Sequence, residues 1–284
     1  MAQVPAWPRS LLLIGCGNMG GAMLAGWLAG GIPAERFTIL DPALPAPPAG
    51  TALVRDAATL DDRKFDAVVL GIKPQGLAAA LPTITGLVDI DTVVLSMLAG
   101  VECATLVALF PHAAGAVRIM PNLAAAIGRS PIALAATGLD EVRRADVTSL
   151  MQPLGSPEWL DEALFDAFTA LAGSGPAFVY RMIDALAKGG ATLGLPRDQA
   201  DRMALAMVEG AALLAAAAPD SPGVLADKVA SPGGTTRAGL DVLDADDAIE
   251  RLFTTTLAAA AKRGAEMAAA IRGQVVPGPD SNTI

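Results

Sequence analysis

In the sequence LLLIGCGNMGGAM, residues 11–23, four apolar residues lead into glycines at positions 15, 17 and 20. A strand that turns through Gly-x-Gly-x-x-Gly into a helix is typical of dinucleotide binding. The first glycine allows the tight turn, the second lets a pyrophosphate approach the backbone, and the third lets helix and strand pack closely. Because N–H groups at a helix start hold phosphates, we expect a cofactor at Gly15, Gly17 and Gly20.

An acidic residue follows at the expected distance. Asp41 ends the next apolar run, RFTILD, about 20 residues on, where a carboxylate can bond ribose hydroxyls. No Arg or Lys follows before Arg55 to neutralise the 2′-phosphate of NADPH. The sequence therefore leaves NADPH and NADH both open and favours good use of NADH. The alternative is that Asp41 only starts an Asp-Pro turn and points into solvent.

The first half of the chain alternates short apolar runs with helical stretches. The runs, which predict buried parallel strands, are SLLLIG, RFTILD, FDAVVLGIK, DTVVLSM and AVRIMP. Helices are expected at NMGGAMLAGWLAGG, from about Leu60, around 76–87 and over 102–110, with PIALAAT and LDEVRRADVTSLM as a last strand and a last helix. This alternation predicts a doubly wound, Rossmann-type α/β sheet.

After about Trp159 the predicted strands stop, and helical stretches are separated by GSGP, GLP, PDSPG and SPGG. We expect helices over 161–172, 176–193, 197–217, 222–229, 232–243 and 247–272. The predicted domains are a dinucleotide-binding domain, 1–159, an all-helical domain, 160–273, and a flexible tail, 274–284.

Composition excludes several classes of function. The net charge of −9 and the lack of a basic run argue against a nucleic-acid partner. One histidine, His112, and two distant cysteines, Cys16 and Cys103, are too few ligands for a zinc site and give no disulfide framework. We therefore predict no metal and a reducing, cytoplasmic compartment.

The strongest candidate for a membrane segment is MALAMVEGAALLAAAA, residues 203–218. Glu209 and Gly210 interrupt it, and it falls short of the roughly 20 apolar residues that a span requires. A helix that is apolar on all sides is more often buried in a core or a subunit interface. We expect no membrane contact and at least a dimer.

The motif DKVASPGGTTRAGL, residues 227–240, breaks an Ala- and Leu-rich helical region. A Gly-Gly break at a helix start exposes backbone N–H groups that can bind a small anion. The alternative is a plain helix N-cap, with Ser231 as the cap and Pro232 in the first helical position. The two interpretations are compatible, because such a cap would create the anion site.

Three further motifs lie where ligands of a parallel sheet bind, outside the carboxyl ends of the strands. They are GIKP at 71–74, SMLAG at 96–100 and IMPN at 119–122. Lys73 taken alone is more often a solvated surface residue. Its place between a buried strand and Pro74 favours contact with the cofactor.

These residues resemble the pyrroline-5-carboxylate reductase family, the NAD(P)H enzymes of the last step of proline synthesis. The match runs from IGCGNMG through GIKP, SMLAGV and RIMPN to AGSGPAFVYRMIDALAKGGATLGLPR and DKVASPGGTTRAGLDVL, nearly the whole chain. The resemblance implies hydride transfer from NADPH or NADH to the C=N bond of 1-pyrroline-5-carboxylate, giving L-proline. It also implies an all-helical dimerisation domain and a homo-oligomer, with rings of dimers such as a decamer in the family.

The resemblance further implies which residues form the site. Those near the pyrophosphate would be Gly15, Gly17, Asn18, Met19 and Gly20, and those near the ribose and nicotinamide Ile72, Lys73, Pro74, Met97, Leu98 and Ala99. Substrate contacts would come from Glu162, Ser231, Gly233, Gly234, Thr235 and Thr236, with the imine between SPGGTT and the nicotinamide. Thr236 is the expected catalytic residue, bonding the ring nitrogen. Glu162 has an alternative role as a helix N-terminal acid favoured by the dipole.

The sequence departs from the family pattern at three positions, and the glycine loop is compatible with other functions. Leu123 and Ala124 stand where the family has Thr and Pro, and Phe178 stands where it has Tyr, which bears on the substrate range. The glycine loop also suits a β-hydroxyacid dehydrogenase, a broader imine reductase or a cofactor-binding sensor without turnover. The first of these needs a general base such as a helical lysine, and GSGPAF stands where we would look for one.

Overall fold

A computed structural model describes residues 4–60 and 63–275 of the chain. It forms two compact units, one comprising the chain up to Gly173 together with the residues from Ala260 onward, and the other Ser174–Ala259. These bounds differ from those of the predicted domains, because the segment after Trp159 and the end of the last helix group with the sheet. The predicted tail, 274–284, lies outside the described residues apart from its first two positions.

The first unit is built on an eight-stranded sheet in the order β3-β2-β1-β4-β5-β6-β7-β8. Its strands are β1 (Leu11–Ile14), β2 (Phe37–Leu40), β3 (Ala52–Val54), β4 (Ala67–Leu70), β5 (Val93–Ser96), β6 (Gly115–Met120), β7 (Ser130–Ala136) and β8 (Gly155–Trp159). Every neighbouring pair is parallel except β6 and β7. The chain order reverses between β1 and β4, which is where a doubly wound sheet binds its ligand.

Helices cover both faces of this sheet. They are α1 (Asn18–Ala29), α2 (Leu77–Thr85), α3 (Cys103–Leu109) and α4 (Glu141–Met151), followed by the short α5 (Phe165–Phe168). Successive side chains of a strand point to opposite faces. In β1, Leu11 and Leu13 pack into one hydrophobic core and Leu12 and Ile14 into another. Two buried faces explain the unbroken apolar run and confirm the doubly wound α/β fold.

The sequence misses two strands, and both lie at the edges of the sheet. β3 has three residues, and β8 has the sequence GSPEW, so neither is an apolar run. Both are half-exposed, since an edge strand has one free side and needs less apolar surface. The prediction of a helix from about Leu60 is wrong over 63–66. A 3-10 turn, Ala57–Leu60, precedes this segment, and residues 63–66 are not helical.

The single helix expected over 161–172 is also wrong. This segment consists of a 3-10 turn, Glu162–Leu164, then α5, then a π-helical turn, Thr169–Gly173. The side-chain amide of Asn122 donates to the carbonyl oxygen of Ala172 at 2.9 Å, inside the π-helical turn. A carbonyl engaged from outside favours a widened turn over a regular helix, and such turns occur frequently at functional sites.

The second unit is helical, with α6 (Gly175–Thr192), α7 (Arg197–Ala217), α8 (Pro222–Lys228), α9 (Thr235–Asp244) and the first part of α10 (Ala248–Val275). α6 packs on α7 through a small cluster of alanines, Ala187, Ala200 and Ala204. Most large apolar side chains of α7 are exposed, and Leu214 is 72% accessible. Within the described residues no single helix has the length and hydropathy for a membrane crossing, although α7 and α8, bent by 114°, pass that test as a pair.

The later part of α10 packs on the first unit. Gly100 follows β5 with a φ of +78°, and a Cβ atom there would lie 2.5 Å from the Cα atom of Ala268. Both the left-handed backbone and the close approach require glycine. The loop after β5 is therefore shaped to receive this helix.

Candidate active site

The loop after β1 is held tightly by glycines. Gly15 has a φ of +86°, and a Cβ atom there would lie 2.9 Å from the carbonyl of Gly71, just after β4. A Cβ atom on Gly20 would lie 2.5 Å from the carbonyl oxygen of Gly15. Contacts this short cannot accommodate a side chain, so the strand, the loop and the start of α1 interlock as the fingerprint predicts.

Gly17 is in a different environment. It caps the N-terminus of α1 without a side-chain hydrogen bond, and a Cβ atom there would have no described atom within 4 Å. The first N–H groups of a helix lack intrahelical acceptors and carry partial positive charge. The open space at Gly17 therefore fits a pyrophosphate.

A cavity of about 380 Å³ opens beside this loop. It lies at the carboxyl ends of β1, β2 and β4, where the strand order reverses. Its lining residues are Ile14, Gly15, Gly17, Leu40, Asp41, Pro42, Gly71, Ile72, Lys73 and Ala80. The structure thus brings together five of the expected cofactor residues, Gly15, Gly17, Asp41, Ile72 and Lys73.

Asp41 joins two loops of the cavity. Its Oδ2 accepts the N–H of Cys16 at 2.7 Å, and its Oδ1 accepts the N–H groups of Ala43 and Leu44 at 2.8 and 3.1 Å. The Asp-Pro turn considered from the sequence does form, but the carboxylate also reaches the glycine loop and does not simply point into solvent. Burial and the charge of Asp41 raise the pKa of the Cys16 thiol, so this cysteine stays protonated at neutral pH.

The remaining residues expected at the cofactor lie around the cavity. Met97 lies beside the lining residue Gly71, because its terminal methyl group would be 3.1 Å from a Cβ atom at that position. Leu98 is 2% exposed and packs in the core, so it can present only its backbone to a ligand. The others are Asn18, Met19, Gly20, Pro74 and Ala99, of which Asn18 is exposed and Gly20 is buried.

A second cavity of about 320 Å³ contains Glu162. Its lining residues are Gly100, Glu102, Arg118, Glu162, Ala163, Asp166, Ala265 and Ala268. The side chain of Arg118 is 7% exposed, and its guanidinium lies 4.5 Å from the ring centre of Phe165 and donates to Oε1 of Glu162 at 2.6 Å. The same oxygen accepts the N–H of Cys103, the first residue of α3, at 2.8 Å.

These contacts define what Glu162 does in the first unit. Burial raises the pKa of its carboxyl, but hydrogen bonds from Arg118 and the Cys103 N–H outweigh burial and hold the pKa below its usual range. Glu162 therefore carries its charge at neutral pH and lies at the N-terminus of α3, a helix other than the one over 161–172 for which the sequence suggested it as N-terminal acid. Burial and the nearby Glu162 raise the pKa of Cys103 to about 12. The sequence signal for this cluster was a charged residue, Arg118, within the apolar run AVRIMP.

The SPGGTT segment forms a turn followed by a helix that starts later than expected. α9 begins at Thr235, so the N-cap is Gly234, and the prediction of Ser231 as cap with Pro232 in the first helical position is wrong. The Gly234 N–H donates to the carbonyl of Ser231 at 2.9 Å, and Gly233 has a φ of +70°. The turn needs this left-handed glycine, which places the helix start three residues further on.

The start of α9 offers backbone donors. Gly234 provides no side-chain cap, and Thr235 and Thr236 are exposed in the described chain. Arg237 points along the helix, where it pairs with Asp241 at 2.7 Å and Asp244 at 2.8 Å. Arg237 is thus already paired with two carboxylates. A small carboxylate ligand at the start of α9 would therefore bind to backbone N–H groups and threonine hydroxyls.

The fold and the first cavity define a dinucleotide-dependent oxidoreductase of the doubly wound α/β class, with a helical unit attached. A family model described as "Pyrroline-5-carboxylate reductase dimerisation" matches residues 162–267. A Pseudomonas aeruginosa pyrroline-5-carboxylate reductase is 33% identical over 267 residues, spanning 92% of this chain and 97% of that protein. The chain belongs to the pyrroline-5-carboxylate reductase family.

Solved structures agree in fold. A pyrroline-5-carboxylate reductase from Coxiella burnetii, 27% identical, matches with a TM-score of 0.83 over 91% of this chain and 98% of that one. A Plasmodium falciparum pyrroline carboxylate reductase solved with NADP bound matches with a TM-score of 0.80 at 22% identity, over 92% of this chain and 98% of that one. The latter likeness supports the fold alone.

Proposed function

We propose that this protein reduces the C=N bond of 1-pyrroline-5-carboxylate to give L-proline, with NADPH or NADH as reductant, in the cytoplasm. This reaction is the last step of proline biosynthesis. The observation that carries the proposal is the similarity to the Pseudomonas aeruginosa reductase across 92% of this chain. The glycine loop and its cavity support the use of a dinucleotide.

In this proposal the first cavity holds the coenzyme. Backbone N–H groups at Gly17, Asn18 and Met19 would hold the pyrophosphate, because no side chain caps the start of α1 with a hydrogen bond. Asp41 would accept a ribose hydroxyl, with Ile72, Lys73 and Pro74 along the adjacent wall. When bound, the dihydronicotinamide supplies the hydride.

The SPGGTT segment would bind the substrate carboxylate. Gly233, Gly234 and Thr235 form the turn and the uncapped start of α9, which suits an anion. The hydroxyl of Ser231 can add a further hydrogen bond. Anion binding here would orient the imine without a charged side chain.

Thr236 would hydrogen-bond the ring nitrogen of the imine. A protonated imine is already electrophilic, so the protein has mainly to position it and to hold a proton at the nitrogen. The exposed hydroxyl of Thr236, in the first turn of α9, is suited to that task. We further propose that Glu162, expected at the substrate, contributes by fixing Arg118 and the start of α3.

The protein is a homo-oligomer, in accord with the dimerisation model that matches residues 162–267. The exposed apolar side chains of α7 need such a partner, since apolar patches of this size on a monomer mark interaction surfaces. Association into rings of dimers is an expectation from the family resemblance.

The test of the function is coenzyme oxidation followed at the dihydronicotinamide absorbance. NADH and NADPH are each incubated with 1-pyrroline-5-carboxylate and without substrate, and NAD⁺ and NADP⁺ are each incubated with β-hydroxyacids. We expect turnover with the imine alone. Turnover with β-hydroxyacids in the reverse direction would favour the dehydrogenase, and coenzyme binding without turnover would favour a sensor.

A further inference from the structure

Arg55 lies next to Asp41 although 14 positions separate them in the sequence. β3 runs parallel to β2 with Val54 opposite Leu40, so the residues that follow the two strands are neighbours at the ligand edge. The N–H of Asp41 donates to the carbonyl of Val54 at 3.1 Å, which continues the ladder to this point. The loop after β2 contains no Arg or Lys in its sequence, but the pairing of β2 with β3 places the guanidinium-bearing Arg55 beside it.

The guanidinium of Arg55 crosses the proline-rich loop after β2. Its Nη1 donates to the carbonyl of Pro42 at 3.0 Å and its Nη2 to the carbonyl of Pro45 at 3.2 Å. Pro42 lines the first cavity together with Asp41. An arginine has five N–H donors, so several remain for a ligand. Within the described ranges the side-chain hydrogen bonds of Arg55 go to these two carbonyls, and no carboxylate forms a salt bridge with it.

We propose that Arg55 binds the 2′-phosphate of NADPH and so gives this site its capacity for the phosphorylated coenzyme. The inference rests on the dinucleotide site of the proposed function and deepens it. Asp41 then accepts a ribose hydroxyl. Arg55 supplies the positive charge that offsets the repulsion between Asp41 and the 2′-phosphate. Arginine suits this task because its planar donors match phosphate oxygens.

The competing explanation is that Arg55 only braces the loop between Pro42 and Pro45. A brace would affect both coenzymes equally, since both share the adenosine and the ribose that the loop borders. A phosphate ligand would affect NADPH alone. Lys73 also lines the cavity, and Asp56, the residue after Arg55, uses its Oδ1 to accept the N–H of Ala58.

The experiment measures the Kd of NADPH and of NADH by coenzyme fluorescence, without imine substrate, for the wild-type protein, Arg55→Gln, Arg55→Lys and Arg9→Gln. Glutamine can still bond a carbonyl but carries no charge. We expect Arg55→Gln to raise the Kd of NADPH tenfold or more and that of NADH less than threefold. Arg55→Lys, which keeps the charge, should lose less NADPH affinity than Arg55→Gln.

Arg9 is the matched control, because its side chain is exposed and it precedes β1, at the amino ends of the strands and away from the cavity at their carboxyl ends. Arg9→Gln removes the same charge and should leave both Kd values unchanged. Equal effects of Arg55→Gln on the two coenzymes, or no effect on either, would overturn the assignment. Because binding is measured without the imine, this failure is distinct from a failure of the proposed reaction, which would appear as coenzyme binding without turnover.

Discussion

Nη1 of Arg118 and Oε1 of Glu162 lie 2.6 Å apart, so an ion pair joins strand β6 to the segment that leads into α5. Glu162→Gln would keep an acceptor for the Cys103 N–H but leave the buried guanidinium without a counter-charge. Removing one partner of a fully buried pair costs about 3–5 kcal/mol. Because the Glu162 side chain is 31% exposed, we expect a loss of about 1–3 kcal/mol in the free energy of unfolding at pH 7. Urea denaturation measures it.

The same comparison has a pH signature. The pKa of Glu162 is lowered in the folded protein, so its stabilising effect is complete above the unfolded-state pKa and is lost as the pH falls through the folded one. The difference between wild type and Glu162→Gln should persist at pH 6–7 and shrink below about pH 4. Asp198→Asn, which breaks an exposed pair with Arg202, is the control and should cost less than about 1 kcal/mol. A difference that is constant down to pH 3 would contradict this role.

Substitutions in the glycine loop should separate binding from folding. Gly17→Ala adds a methyl group where no described atom lies within 4 Å, so the melting temperature should hold while the Kd of NADPH rises at least about tenfold. Gly20→Ala places its methyl group 2.5 Å from the carbonyl oxygen of Gly15 and should reduce stability as well.

The control is Gly21→Ala, whose Cβ atom would meet the carbonyl oxygen of Cys16 at an ordinary 3.8 Å. Within a helix, alanine is favoured over glycine by about 1 kcal/mol, so this variant should be slightly more stable. Calorimetry and coenzyme titration report the two properties. Unchanged coenzyme affinity in Gly17→Ala would remove this loop from the site.

Asp41 should support the use of NADH. Asp41→Asn removes the charge and replaces one of the two acceptor oxygens by an NH₂ group. The asparagine can therefore accept the N–H of Cys16 or the N–H of Ala43 but not both. We expect kcat/KM with NADH to fall about tenfold, about 1.4 kcal/mol, and kcat/KM with NADPH to fall less. Steady-state kinetics with both coenzymes test this. A wild-type preference of a hundredfold for NADPH would refute good use of NADH.

Thr236→Val nearly preserves shape and removes one hydroxyl at the start of α9. If that hydroxyl acts in the transition state, kcat and kcat/KM fall together, whereas loss of uniform binding raises KM alone. Proton donation predicts a drop on the order of 10²-fold, and positioning alone one near tenfold. Thr236→Ser keeps the hydroxyl and should recover most activity. An unchanged kcat from pH 6 to 9 in Thr236→Val would exclude Thr236 from the mechanism.

The apolar surface of α7 should hold the assembly together. Leu214 is 72% exposed in the isolated chain, so Leu214→Glu would bury a charge in any interface that covers it. We expect sedimentation at micromolar concentration to show dissociation. Val142→Glu, on the sheet unit with a 71% exposed side chain, should leave the assembly intact. A wild-type monomer would contradict the homo-oligomer itself.

Most of the sheet could be predicted from sequence because buried parallel strands are apolar on both faces, as β1 shows. The edge strands β3 and β8 could not, since a half-exposed strand has no such run. The cofactor loop was predictable because its glycines allow a tight turn and a close backbone approach within one short segment of sequence. Arg55 was not, because its place beside Asp41 depends on the pairing of β2 with β3.

Side-chain contacts between residues far apart in the sequence could not be predicted either. The pair of Arg118 and Glu162 spans 44 positions, and only the charge inside an apolar strand hinted at it. The start of α9 was misplaced for a local reason: Ser-Pro is a good helix start, but the left-handed Gly233 closes a turn first.

The contact of Gly100 with Ala268 affects the order in which the protein can be completed on the ribosome. The sheet unit includes residues from before and after the helical unit, and the segment that fills the space at Gly100 is synthesised after every strand of the sheet. A nascent chain released before Ala260 would therefore carry an uncovered loop after β5. Termination or proteolytic cleavage before this point should thus yield a sheet unit that has all its strands but lacks the part of α10 that packs on the loop.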